Sequence, residues 1–191
     1  MSEQIKGYTY GHAGQSPVSL ADLDLLEKTV FFTENDVKNL QLAGEVLKDQ
    51  TNEILDVWYG FVGSHEHLLK YFSKGDAPNP NYLAAVRERF KQWILDLCNK
   101  SYDQTWLNYQ HEIALRHLVK KNVTDGVDAE PFVNYRYMIA FIYPITITIR
   151  GFLANGGNEQ SVVEDMYNAW FKAIVLTTIL WTYPYIKEDK F

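Results

Sequence analysis

Almost every start and stop signal in this 191-residue chain is a helical one. Ser19-Leu-Ala-Asp22 and Thr33-Glu-Asn-Asp36 have capping-box spacing ahead of apolar-periodic runs. Asn79-Pro80 sets an N-cap before a proline at the first helical position. Ser101-Tyr-Asp-Gln104 and Ser161-Val-Val-Glu164 repeat the capping pattern. No alternating apolar run is flanked by turn dipeptides, and no internal repeat is present. The chain is therefore read as one all-α domain of about seven or eight helices. A four-helix bundle needs fewer.

The run from Thr33 to Phe72 keeps a helical stripe (Leu47, Ile54, Trp58, Phe61, His65, Phe72), and its length predicts a bend or two helices end to end. FSKGDAPNPN breaks it with Gly75, Pro78 and Pro80. The next helix presents Leu83, Val86, Phe90, Trp93 and Leu97 inward. NVTDGVDAEP forms a loop, and Pro131 is expected to open a helix reaching about Leu153. On the last helix the stripe is Val163, Met166/Tyr167, Trp170, Ile174, Thr177 and Trp181. Its flanks (Ala173, Val175, Leu176, Ile179, Leu180) are apolar too, which fits either deep burial in the monomer or a dimer interface.

YQHEIALRHLVKKN, residues 109–122, carries two histidines six positions apart. At about 100° per residue they stand roughly 120° apart, so His111 and His117 do not share a face. Paired helical metal ligands need i,i+3 or i,i+4 spacing. Stepping back from His117 meets Ile113, Gln110, Tyr109 and Trp106, a core-facing stripe, with Ala114 leaving room beside the ring. His117 looks inward, as either a satisfied core histidine or a ligand, while His111 can reach solvent. His12, His65 and His67 read as surface or loop residues.

Several function classes drop out. The net charge is −6 and no basic stripe appears; Arg116 to Lys121 is a short cluster at a helix C-terminus, so nucleic acid is not an expected partner. The single cysteine, Cys98, excludes an internal disulfide and a c-type haem attachment, and reads as a small apolar filler in a reducing cytoplasm. The N-terminus lacks the apolar core of a signal peptide. Tyr137 to Ile149, bracketed by Arg136 and Arg150, is thirteen residues and reads as a buried core helix rather than a span, which takes about 20. There is no nucleophile elbow, Walker loop or dinucleotide turn. Glu45, Asp49, Glu53 and Asp56 form a solvated helix face, since no Glu-x-x-His partner lies inward. Aromatics make up 15% of the residues, and Trp58, Tyr59, Phe90, Trp93, Phe141 and Trp170 fall on inward stripes. They suit plain core, or a wide planar apolar ligand such as a haem whose iron takes one histidine.

LDVWYGFVGSHEHLLKYF (55–72), YLAAVRERFKQWILD (82–96), SYDQTWLNYQHEIALRH (101–117), YRYMIAFIYPITITI (135–149) and MYNAWFKAIVLTTILWTYPY (166–185), with GYTYG near the N-terminus, together resemble a protoglobin over nearly the whole chain. The resemblance implies a single domain over residues 1–191: a globin-like 3-over-3 helical sandwich with an extra N-terminal helix, and with residues 1–18 extended over the haem edge. It implies a non-covalent haem b on His117. Trp58 and Tyr59 stand on the opposite face, and Val86, Phe90, Ile113, Met138, Phe141 and Ile145 shape the cavity. It also implies a homodimer through the last two long helices. Leu118 departs from the family's pattern, in which a second histidine commonly follows the proximal one. The expected function is reversible binding of O2, CO and NO for storage, scavenging or sensing. No output region follows Phe191, so sensing would need a separate partner. The rivals are a haem enzyme acting on NO, nitrite or peroxide, an artificial carbene-transfer scaffold, and a haem-free helical interaction module.

Overall fold

The computed structural model describes residues 5–74, 77–186 and 191; Gly75 and the first four residues of the N-terminal extension lie outside them. Among the described residues nine α-helices follow one another: α1 (Leu20–Thr29), α2 (Glu34–Leu47), α3 (Thr51–Gly63), α4 (Glu66–Leu69), α5 (Pro80–Asn99), α6 (Gln104–His117), α7 (Tyr135–Ala140), α8 (Ile142–Ala154) and α9 (Gln160–Thr182). The run from Thr33 to Phe72 splits as its length predicts, but the short α4 and a second break between α7 and α8 carry the count past eight, each for a local reason.

The first run stops at Lys48–Gln50, where Gln50 Nε2 takes the Val46 carbonyl at 2.8 Å, and again at Ser64, whose hydroxyl takes that of Phe61 at 2.8 Å. In the second, Pro144 has no N–H to offer the Ala140 carbonyl, and the seam between α7 and α8 falls at Phe141. Pro131 does not open α7, which starts at Tyr135. An extended stretch precedes it, held by the Val133 amide on the His117 carbonyl (2.8 Å) and by Tyr71 Oη on Asn134 Oδ1 (2.5 Å).

The caps at Ser19, Thr33 and Asn79 form as their spacing predicts. Two others differ. Asp103, not Ser101, caps α6, and α9 begins at Gln160, with Glu164 paired to Arg150 instead of closing a capping box. A two-residue antiparallel ladder, Ser73–Lys74 against Ala77–Pro78, lies where the sequence shows only a break.

The core forms where α9 packs on α8, α2 and α6, and α2 on α5. Leu47, Leu55, Ala43, Leu153, Met166 and Trp170 are buried there. Each fully buried leucine contributes about 1.5–3 kcal/mol over its exposed state. Ala173, Leu176 and Leu180 are buried within the monomer, so the two-sided apolar character of α9 is largely internal. The run from Tyr135 to Ala154 is not the buried core helix expected. It is 20 residues, apolar enough by length and composition to cross a membrane, and only 22% of that window is buried. One face packs inward through Met138, Thr146, Ile149 and Leu153, and the other leaves Ile139, Tyr143 and Ile147 exposed.

Candidate functional site: an apolar cavity under one histidine

A cavity of about 210 Å³ opens between α3, α5, α6 and the α7–α8 pair. All nine residues singled out from the sequence line it: Trp58 and Tyr59 from α3, Val86 and Phe90 from α5, Ile113 and His117 from α6, and Met138, Phe141 and Ile145 from the α7–α8 run. Trp58 meets Phe141 and Phe90 edge-on at 5.2 and 5.9 Å, closing one wall without a polar contact.

His117 is the last residue of α6 and it too lines the cavity. Its Nδ1 lies 3.0 Å from the Ile113 carbonyl. A carbonyl only accepts, so Nδ1 carries the proton and the lone pair sits on Nε2. Burial pulls the imidazole down to about 4, which keeps it neutral. The Trp181 ring rests against it at 5.0 Å, and the His117 carbonyl takes the Val133 amide and Tyr185 Oη. Ring and backbone are thus both held. Leu118 turns away to end the helix, its amide on the Leu115 carbonyl.

Tyr59 Oη is buried and has no hydrogen-bond partner among the described residues. Burial raises its phenol well above the usual range, so it remains a neutral donor. An orphaned buried hydroxyl costs about 1–3 kcal/mol unless something accepts its proton.

One edge of the cavity is polar, and the sequence offered little warning of it. Arg89, Arg116 and Thr124 meet residues 6–9 there, with Asp125 on Arg89, and Lys121 is a further cation in the lining. Arg89 forms a two-point ion pair with Asp125 (3.0 and 2.6 Å) and donates to the Lys6 carbonyl. Arg116 pairs with Glu112 and donates to the Gly7 carbonyl at 2.6 Å and to Thr9 Oγ1. Residues 6–9 therefore run across this edge. Gly7 is needed there: its φ is +76°, and a Cβ would stand 2.9 Å from the Arg89 guanidinium. Tyr8 latches the segment by donating to Asp96 at 2.7 Å, and Tyr8 and Tyr10 both meet Tyr109 edge-on.

Tyr82 was legible but overlooked. It precedes Val86 by one helical turn, and it is buried where Leu83 was expected. The sequence match decides the family: the protoglobin family model fits residues 19–191. This chain belongs to the protoglobin family. No curated protein matches it. Protoglobins are haem-binding globins, and the fold and the apolar cavity agree with that membership. The fit to a haem is local as well: one neutral imidazole lines an aromatic chamber that holds an unsatisfied donor, and three cations, Arg89, Arg116 and Lys121, are among the lining residues.

Proposed function

We propose that the chain is a haem b protein that binds O2, CO and NO reversibly, with His117 Nε2 as the protein's ligand to iron. The observation that carries this reading is the locked, neutral His117 ring in an apolar cavity. Among the described residues no group of three or more His, Cys, Asp or Glu side chains could hold a metal ion, so iron on His117 would take its other donors from a macrocycle. Haem, once bound, would supply an iron able to take up diatomic gases.

The chain's residues divide the remaining work. The Ile113 carbonyl orients the imidazole and increases its basicity. Tyr59 Oη supplies a hydrogen bond to a bound gas that carries partial negative charge, while Trp58, Phe90, Phe141 and Ile145 keep water out. Val86 and Met138, which line the cavity, would pack against the ring, and residues 6–9, held by Arg89 and Arg116, would cover its carboxylate edge. Arg89 is committed to Asp125 and the Lys6 carbonyl, which leaves it no part in a peroxidase-like acid–base pair. A cytoplasmic homodimer through α8 and α9 completes the reading; exposed Ile139, Tyr143 and Ile147 on α7–α8 and Phe171 on α9 support that surface.

The test is absorption spectroscopy of the purified protein, ferric, reduced and CO-bound, beside His117→Gly. A Soret band that shifts with CO, is altered by the substitution and returns on adding imidazole is expected. Reconstitution with haemin that gives no band beyond that of free haemin would refute the assignment.

A further inference from the structure

Lys121 is a buried charge with no part in holding or screening a gas. It follows the end of α6 by four residues, is 5% exposed and lines the cavity. An ammonium offers three N–H donors. Among the described residues those of Lys121 reach neutral oxygens: the Tyr71 carbonyl at 2.8 Å and Asn122 Oδ1 at 3.3 Å. The Tyr71 and Tyr82 rings lie 6.0 and 5.6 Å away.

The other two cations lining the cavity are already compensated, Arg89 by Asp125 and Arg116 by Glu112. Glu130 acts on Lys121 only from a distance; its carboxylate is half-exposed and sits 3.6 Å from Lys70. Among the described residues no carboxylate lies within ion-pair reach of Lys121. Burial pulls this lysine down to about 8, since the charged form is poorly solvated there. A buried ammonium is retained at such a cost when a counter-charge arrives from elsewhere. The cavity it lines is largely apolar, and the other charged side chains in that lining are Arg89, Arg116 and Asp125.

We propose that Lys121 receives one carboxylate of the bound porphyrin and so fixes which edge of the ring rests at the polar end of the cavity. The inference rests on the haem reading above, but it assigns a residue which that reading leaves idle. It requires no movement of Arg89 or Arg116 from their present partners.

The experiment measures first-order release of haemin, and of haemin dimethyl ester, into excess apomyoglobin from the wild type and from Lys121→Met. Methionine keeps the length and removes the charge. Release of haemin from the variant should be about tenfold faster or more, the size of a lost charge-assisted hydrogen bond. Release of the diester should be the same from both proteins. Equal release of haemin from wild type and variant would overturn the proposal, and so would faster release of both porphyrins, which would mark Lys121 as a packing residue. The wild type alone supplies a check that needs no variant: the diester must leave faster than haemin. If the wild type takes up neither porphyrin, the haem reading itself fails.

Discussion

Tyr59 is the side chain whose chemistry the fold leaves most visibly unfinished. Its hydroxyl is buried, protonated and unpaired in a cavity walled by carbon. Tyr59→Phe should therefore stabilise the haem-free chain slightly or leave it unchanged, because an orphaned donor is removed. In the O2 complex the same change should speed ligand dissociation by about tenfold, the loss of one hydrogen bond to a charged acceptor. Stopped-flow release of O2 reads this directly, and an unchanged rate would take Tyr59 out of the site. At this scale the sequence was informative where periodicity governs. His117 and Ile113 share a face of α6, Trp58 lies on the stripe of α3, and Val86 and Phe90 lie on that of α5. Lys121, Thr124 and Asp125 follow the end of α6, where no helical period says which way a side chain points.

Single elements depend on a few local bonds, and two of these make predictions. Asp36 accepts from the Thr33 amide and hydroxyl at the start of α2, and Lys172 of α9 donates to its other oxygen at 2.8 Å. Burial pushes this carboxyl upward, but Lys172 and Thr33 outweigh it and hold the group below its ordinary 3.8. The stabilisation is therefore complete above pH 3.8 and is lost as the pH falls through the folded-state value. Asp36→Asn should cost about 1–3 kcal/mol near neutrality. Urea titrations at falling pH should show wild type and variant converging; a gap that persists in acid would contradict the linkage. Gly44 marks the close approach of α2 to α5, since a Cβ there would meet Cys98 Cβ at 2.9 Å and Asn99 Nδ2 at 2.8 Å. Gly44→Ala improves helix propensity by about 1 kcal/mol, yet overpacking costs about 1–3. A net loss of stability in thermal melts is expected, despite the better helix former.

For the whole molecule, the open question is what meets the outer face of the α7–α8 run. Ile139, Tyr143 and Ile147 recur every four residues and stay exposed, and Phe171 of α9 is exposed as well. Within the proposed homodimer, Tyr143→Glu with Ile147→Glu should shift sedimentation equilibrium towards monomer while leaving the Soret band in place. A double variant that sediments like the wild type would remove this face from the interface. The sequence marked α9 as apolar on two sides without saying what covers it. The fold answers for Ala173, Leu176 and Leu180, which the monomer buries itself.

The sequence by itself determined the helical class, most of the caps, the inward turn of His117 and the family. Each of these is carried by bonds and stripes within a turn or two of helix, or by long matched blocks. Only the tertiary structure decided where the long runs break, that the N-terminal segment meets Arg89 and Arg116 at the cavity, and that Lys121 lines the same cavity. Those residues come from separate elements and a loop. Their meeting depends on how helices pack over long chain separations, and no local period encodes that.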